Sequence, residues 1–170
     1  MHLLLLLVLG IFGYAALAQA ARAESPQSPE ASIQRWIVAP LALPVDSARA
    51  LLAQAALETG NFASSAFHAT NSLFNRHLGN GRIGVPNSDG YWSGEVHYAS
   101  AADPDLRVYD SLDQSARDMA QLLQEPYYAP ALSALKSGDV VRYYSTMELL
   151  GFSTQPGYAA DLQRTYDQMA

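Results

Sequence analysis

The clearest pattern along the chain is a helical one over residues 47–59. Positions 48, 51, 52 and 55 carry apolar side chains at the spacing of one buried helix face. Asp46 or Ser47 can cap the start of this helix, and Gly60 is placed to end it. The pattern therefore predicts an amphipathic helix of about three to four turns that packs against a core.

Two shorter helices are predicted on either side of it. Residues 31–38 form the first, with Trp36 as its anchor, and Pro40 and Pro44 are expected to break it. The second covers residues 65–74. All three predicted helices lie in the first half of the chain.

The middle of the chain has a different pattern. Residues 79–94 are dense in glycine, asparagine and other turn formers. Residues 91–100 then alternate, with Trp92, Val96 and Tyr98 on one side and Glu95 and His97 on the other. This alternation predicts a small β-hairpin.

Helical spacing returns from Ser111 onward. Ser111 and Gln114 resemble a capping box at the start of one helix. Further helices are predicted from Pro126 to Gly138, from Asp139 to Gly151 and from Pro156 onward. The fold class is therefore α+β, mostly α, with a small β lobe inserted between early and late helices.

Composition narrows the class of partner. The chain has 170 residues, 49% of them hydrophobic, which suits one domain with a sizeable core. A formal charge of −6 argues against a nucleic-acid partner. It leaves a polysaccharide open, because sugars are bound by hydrogen bonds and aromatic stacking. The absence of cysteine excludes disulfides and thiolate chemistry.

The N-terminus is typical of an exported protein. Residues 3–18 are almost wholly apolar, and the A-x-A sequences at 18–20 and 21–23 offer cleavage sites. An uncleaved N-terminus would instead anchor the chain in the membrane. We therefore expect a signal peptide or anchor over 1–23, a linker with the leading helix over 24–44, and one domain over 45–170.

Glu58 is the strongest candidate for acid–base chemistry. It borders the apolar stripe in the last turn of its predicted helix, where the helix dipole disfavours negative charge. Apolar neighbours disfavour that charge too, so both effects predict a raised pKa for this carboxyl. A glycosidase acid needs such a pKa. Periodicity alone favours an ordinary half-exposed glutamate in a helix.

Four segments in order resemble one enzyme family. Residues 52–60 (LAQAALETG) resemble the catalytic motif of the glucosaminidases of glycoside hydrolase family 73, in which a glutamate ends a helix. Similar segments follow at 71–74 (NSLF), at 106–111 (LRVYDS), before the helix with Asp118, and at 151–159 (GFSTQPGYA). The likeness covers about residues 45–168 of the chain.

The resemblance implies a lysozyme-like fold and cleavage of the β-1,4 bond after N-acetylglucosamine in peptidoglycan. Glu58 would be the general acid, and Tyr158 would position the N-acetyl group or a water, although core packing explains Tyr158 equally well. The residues expected to bind substrate are Asn71, Phe74, Tyr91 and Trp92. The expected partner is a peptidoglycan strand, and we expect a monomer.

The second carboxylate is less defined. In the family it lies on the hairpin, and Glu95 is the best positional match as a general base, ahead of Asp89, Asp103 and Asp105. The alternative is that the substrate's own N-acetyl group attacks, which would make a second carboxylate dispensable. Glu95 also fits a solvent-facing hairpin position.

Departures from the family keep other functions open. The chain has Asn61, Phe62 and Ala63 where the family has a Trp-Gly segment, and Phe152 and Gln155 replace a tyrosine and an aspartate. An inactive wall-binding scaffold is therefore one rival hypothesis. A lytic transglycosylase on the same fold, which needs only one acid, is the other, and the absence of the G-L-M-Q motif of many such enzymes counts against it.

A metal or other cofactor is not expected. The histidines at positions 68, 77 and 97 lack the spacing of a metal motif such as H-E-x-x-H. The predicted chemistry rests on carboxylates and a phenol alone.

Overall fold

The structure, a computed structural model, describes residues 28–76, 96–97 and 106–169. These residues are mostly helical, as predicted. In chain order the elements are α1 (Pro29–Ile33), a π-helical turn (Gln34–Val38), α2 (Ala39–Leu41), α3 (Val45–Thr59), α4 (Ser65–Thr70), β1 (Val96–His97), β2 (Leu106–Arg107), α5 (Leu112–Gln124), a 3₁₀ turn (Pro126–Tyr128), α6 (Ala129–Ser137), α7 (Val140–Leu149) and α8 (Tyr158–Gln168). No helix in these stretches has both the length and the apolar character needed to cross a membrane.

The leading helix runs further than the sequence predicts. The π-helical turn joins α1 to α2 without a break, and Pro40 lies inside the helical run instead of ending it. Pro40 has no N–H to donate and occupies the first turn of α2, where that donor is not required. The run ends after Leu41, because Ala42 adopts a left-handed conformation with φ of 52°.

This leading helix is part of the main core. Ile33 and Ile37 are buried in it. The guanidinium of Arg117, on α5, lies 3.3 Å from the centre of the Trp36 ring, a cation–π contact. Trp36 therefore anchors the leading helix, as predicted, and it does so against α5.

Helix α3 carries the main buried face. It starts at Val45, and neither proposed cap residue caps it. The Ser47 hydroxyl instead donates to the Leu135 carbonyl oxygen of α6 at 2.5 Å. The predicted cap was therefore wrong, because a distant carbonyl takes this hydroxyl. Gly60 ends the helix with φ of 59°, as predicted.

Helix α4 is shorter than predicted. Ser64 caps its start by accepting from the Phe67 amide, and Asn71 ends it in a left-handed conformation with φ of 51°. Asparagine tolerates this conformation better than most residues, so the helix ends at Thr70 and does not reach Phe74.

The β structure in the described residues is one antiparallel pair. Val96 pairs with Arg107, and His97 pairs with Leu106. No hairpin lobe is seen there, and the partner strand lies beyond the predicted hairpin of 91–100. The rest of that hairpin lies outside the described residues.

The late helices follow the prediction closely. Ser111 caps α5 and Asp139 caps α7, each by accepting from the amide three residues on. Gly138 ends α6 with φ of 72°. Helix α8 packs against both α3 and α7, and α7 also packs against α6. This packing brings the end of α3 beside the start of α8.

Candidate active site

Glu58 lies in the last turn of α3, and its side chain is half-buried. Three consecutive residues after this turn have left-handed backbones: Gly60, Asn61 and Phe62, with φ of 59°, 56° and 61°. Such a run is costly for a residue as large as phenylalanine. The Thr59 hydroxyl accepts from the Phe62 amide at 3.0 Å, which stabilises the turn. The chain therefore turns sharply directly after Glu58.

Tyr158 contacts the Glu58 carboxylate from helix α8. It is the first residue of α8, and its hydroxyl donates to Oε1 of Glu58 at 2.5 Å. Only 2% of Tyr158 is exposed, so its ring packs in the core while its hydroxyl contacts the carboxylate. The carboxyl of Glu58 and the hydroxyl of Tyr158, which lie far apart in the sequence, are therefore in contact, as the resemblance implies.

The start of α8 is held by a carboxylate from α7. Gly157, at the N-cap, has no side chain with which to cap the helix. The carboxylate oxygens of Glu148 instead accept from the amides of Gly157 and Ala159, at 3.1 and 3.2 Å. A negative charge at a helix N-terminus is also favoured by the helix dipole. Glu148 therefore helps to fix Tyr158 at the site.

Phe152 also supports Tyr158. The two rings stack with centroids 6.2 Å apart and an angle of 21° between their planes. Phe152 is the position where the family usually has tyrosine. The ring is therefore used here for packing against Tyr158.

Two further polar residues reach Glu58 through Tyr158. The Gln54 amide nitrogen donates to the Tyr158 hydroxyl at 3.1 Å, and the Gln54 amide oxygen accepts from the Tyr143 hydroxyl at 2.5 Å. Neither Gln54 nor Tyr143 is exposed. Sequence reasoning missed both. The available signal was a polar residue one helical turn before Glu58, on the buried face of α3.

Burial keeps the two phenols protonated. Burial raises the pKa of Tyr158 well above its ordinary value, and the charge of Glu58 and its hydrogen bond raise it further. Burial likewise raises the pKa of Tyr143, with smaller contributions from Tyr144 and Glu58. Tyr158 is therefore a hydrogen-bond donor to Glu58 near neutral pH and does not act as a base.

The loop after α4 also contacts this helix end. The Asn75 side-chain amide donates to the backbone carbonyl oxygen of Glu58. That carbonyl is one of the last in α3, which have no partner within the helix. Asn75 therefore supports the backbone of Glu58.

The predicted substrate-binding residues are placed differently from one another. Asn71 ends α4, and its side-chain amide donates to the Tyr109 carbonyl oxygen at 2.9 Å. Phe74 is fully buried in the core, so it offers no surface to a ligand in this conformation. Glu95, Tyr91 and Trp92 lie outside the described residues.

A metal cluster is not found in the stretches that the structure describes. There, no three histidine, aspartate or glutamate side chains come together to hold an ion. His68 is exposed on α4. Among the described residues, the site brings the Glu58 carboxyl together with the phenol of Tyr158 and the amide of Gln54.

Comparison with protein families decides the assignment. A family model described as "Glucosaminidase: Mannosyl-glycoprotein endo-beta-N-acetylglucosaminidase" matches residues 44–170. The chain belongs to this glucosaminidase family. As a member of glycoside hydrolase family 73 it is a glycosidase, and the resemblance seen in its four motifs is confirmed. Searches of curated proteins and of solved structures gave no match to this glucosaminidase.

Proposed function

We propose that this glucosaminidase hydrolyses the β-1,4 bond that follows N-acetylglucosamine in peptidoglycan strands, with Glu58 as general acid. The observation that carries the proposal is the 2.5 Å hydrogen bond from Tyr158 to a half-buried Glu58 at the end of α3. A carboxyl that is partly desolvated and oriented by a neutral donor suits proton transfer. Membership of the family supports the class of bond.

The proposed reaction uses two carboxylates. Glu58 gives its proton to the glycosidic oxygen as the bond from that oxygen to the anomeric carbon breaks. Glu95, as general base, takes one proton from a water whose oxygen bonds to the anomeric carbon. One water is consumed, and the new chain end is a reducing N-acetylglucosamine. The role of general base is assigned to Glu95 because of its position in the sequence.

Substrate binding is proposed for a lysozyme-like cleft with a small β lobe. The half-buried carboxyl of Glu58 at the end of α3 supports this proposal, and the pairing of Val96–His97 with Leu106–Arg107 is compatible with a small β lobe. Asn71, Tyr91 and Trp92 are the proposed contacts, the last two through stacking on sugar faces. Crystals soaked with a peptidoglycan fragment test these contacts directly, and a fragment bound elsewhere would refute them.

Glu58→Gln tests the acid. The substitution keeps the shape and removes the transferable proton, so muropeptide release from purified sacculi should fall by at least about 100-fold. Glu125→Gln makes the same chemical change at an exposed glutamate and should leave the rate unchanged. Near-normal release by Glu58→Gln, with wild-type thermal stability, would refute the role.

Product chemistry separates the rival reactions. Mass spectrometry of the released muropeptides should show reducing N-acetylglucosamine ends, whereas 1,6-anhydro-muramyl ends would indicate a lytic transglycosylase. Proton NMR of the first-formed anomer then tests the base: inversion supports Glu95, and retention supports attack by the substrate's N-acetyl group. Sacculus binding with no product would identify a scaffold.

We also propose that the protein is exported to the cell envelope. The apolar run at 3–18 and the two A-x-A sequences support this. Fractionation of expressing cells, with N-terminal sequencing of the envelope form, tests it. A new N-terminus near residue 21 or 24 indicates cleavage, an intact one indicates anchoring, and a protein confined to the cytoplasm contradicts export.

A further inference from the structure

Four side chains form a continuous line of hydrogen bonds that ends at the proposed acid. Tyr143 on α7 donates to Gln54 on α3 at 2.5 Å, Gln54 donates to Tyr158 on α8 at 3.1 Å, and Tyr158 donates to Glu58 at 2.5 Å. The line crosses three helices. It starts in the core and ends at the half-buried carboxyl.

The direction of the line is fixed from its carboxylate end. While Glu58 is ionised its carboxylate only accepts, so the Tyr158 hydroxyl gives its hydrogen to Oε1. The Tyr158 oxygen can then accept, and the Gln54 amide supplies that hydrogen. This leaves the Gln54 oxygen toward Tyr143, whose hydroxyl must donate. The buried Gln54 amide, once oriented by this state, keeps donating to Tyr158 when Glu58 is protonated. Each group therefore sets the orientation of the next.

Burial favours one arrangement of these hydrogen bonds over the reversed one. Gln54 and Tyr143 are 0% exposed and Tyr158 is 2% exposed, so water cannot easily replace any of these partners. A buried polar atom that loses its partner costs far more than one at the surface. A reversed Gln54 amide would set its nitrogen against the Tyr143 hydroxyl and draw the Tyr158 hydrogen away from Glu58.

We propose that Gln54 and Tyr143 are positioning residues that hold the Tyr158 hydroxyl as a donor to Oε1 of Glu58, so that the catalytic proton is carried on Oε2. The proposal rests on the function proposed above. On bond cleavage the proton passes from Oε2 to the glycosidic oxygen, and the hydroxyl hydrogen of Tyr158 stays on Tyr158. The line thus orients the acid without itself transferring protons.

Tyr143→Phe is the main test, with Tyr144→Phe as its matched control. Tyr144 lies on the same helix, is only 1% exposed, and donates its hydroxyl hydrogen to the Ala50 carbonyl oxygen of α3 at 3.1 Å. Both variants lose one buried hydroxyl that bridges the same two helices. Only Tyr143 belongs to the line that reaches Glu58.

The expected result separates the two variants. With soluble peptidoglycan fragments, Tyr143→Phe should lower kcat by about tenfold, the equivalent of about 1.4 kcal/mol, with KM unchanged. The alkaline limb of its pH–rate profile should move to higher pH, because the Glu58 carboxylate loses part of the donor that stabilises it. Tyr144→Phe should match the wild type in kcat and in pH profile, whatever its thermal stability.

Among the described residues, two phenols from the packed helices act on this titration. They are Tyr158 on α8 and Tyr143 on α7, and Tyr128 acts in turn on Tyr143. Burial raises the pKa of all three phenols. They therefore stay neutral over the pH range in which the acid titrates. A shift of the alkaline limb of the pH–rate profile then reports on the pKa of Glu58.

A second variant tests the same proposal in case Tyr143→Phe does not fold. Gln54→Met keeps the side-chain length and removes both hydrogen bonds, so it should lower kcat and shift the same limb. The double variant should be no slower than Gln54→Met alone, because Tyr143 acts only through Gln54. Additive losses, or a Tyr143→Phe enzyme that matches Tyr144→Phe in kcat and pH profile, would overturn the proposal.

A measurement without substrate separates this inference from the proposed function. Carbon-13 NMR of carboxyl-labelled glutamate follows the titration of Glu58, assigned by its loss in Glu58→Gln. A higher titration midpoint in Tyr143→Phe supports the line even if the wild type releases no muropeptide, which would refute only the proposed function. An unchanged midpoint in an active enzyme refutes the line alone.

Discussion

At the scale of single residues, Tyr158 packs in the core and also contacts the proposed acid. Its ring is buried and stacks on Phe152, while its hydroxyl bonds both Glu58 and Gln54. The two contributions can be separated, because phenylalanine keeps the ring and removes the oxygen. The sequence could not decide between core packing and a contact with the acid, and this one side chain makes both contacts.

Tyr158→Phe should reduce activity and lower the free energy of unfolding by about 1–3 kcal/mol, because the buried Gln54 amide loses its acceptor. Without the hydroxyl, the Glu58 carboxyl loses a donor and the Gln54 amide loses an acceptor, so kcat for muropeptide release should fall by about 10- to 100-fold. Tyr166→Phe is the control, since that hydroxyl, on the same helix, bonds Asp46 at 3.4 Å. Equal rates for the two variants would show that the Tyr158 hydroxyl has no role at the site.

The residues of the site were only partly predictable. Glu58 and Tyr158 were found because each belongs to a motif with a recognisable local sequence. Gln54 lies in the same motif as Glu58, yet nothing local says that its partner is Tyr143, 89 residues away. Such a contact exists only once α3 and α7 have packed, so it requires the tertiary structure.

At the scale of elements, residues close to a helix end predicted that end correctly, whereas contacts with distant residues could not be predicted from the sequence. Gly138 and Asp139 set the end of α6 and the start of α7, because a left-handed glycine and an N-cap aspartate act within one helical turn. Ser47 misled the prediction, since its hydroxyl bonds a carbonyl of α6. The helix break expected at Pro40 failed because the π-helical turn places that proline at the start of α2.

Asp118 connects three elements. Its carboxylate contacts Arg107 of β2 at 2.6 Å and Arg76, after α4, at 3.5 Å, and it accepts from the Tyr109 hydroxyl at 2.6 Å. The Arg107 amide also donates to the Arg76 carbonyl oxygen at 2.8 Å. Helix α5 thereby holds together the two chain segments that flank residues 77–105.

Asp118→Asn should destabilise the fold strongly. Its side chain is 3% exposed, and those of Arg76 and Arg107 are 11% and 15% exposed, so the substitution leaves two mostly buried cations without this counter-charge. The free energy of unfolding in urea should fall by about 3–5 kcal/mol, as for other broken buried pairs.

Asp113→Asn on the same helix is the matched control for that prediction. Its charged partner Arg35 is 53% exposed, so solvent screens that ion pair, and the Ser32 hydroxyl can still donate to the amide oxygen of the new asparagine. The loss should therefore be about 1 kcal/mol. Equal losses in the two variants would mean that the buried position of Asp118 contributes nothing extra.

At the scale of the whole molecule, buried tyrosines connect the helices. Tyr143 and Tyr144 link α7 to α3, Tyr158 links α8 to α3, and Tyr109 binds Asp118 of α5. Each hydroxyl is satisfied by a partner from another element. A core built this way is stable only while these phenols remain neutral, because a buried phenolate would be unpaired and unable to donate.

The fold should therefore unfold in alkali. Burial, as the largest cause, raises the pKa of Tyr109, Tyr143, Tyr144 and Tyr158 above the ordinary value of 10.0. A raised folded-state pKa means that their stabilisation is complete below about pH 10 and is lost as pH rises further, because the unfolded chain ionises first. Each should cost about 1.4 kcal/mol per pH unit.

Urea unfolding between about pH 8 and pH 11, with tyrosinate absorbance followed in parallel, measures this loss. Stability should be flat to about pH 10 and then fall steeply, by about 5 kcal/mol per pH unit if all four tyrosines contribute. The four buried phenols, whose pKa values burial raises, should ionise only on unfolding. Ionisation of all the tyrosines before unfolding, with level stability, would show that the phenols do not hold the core together.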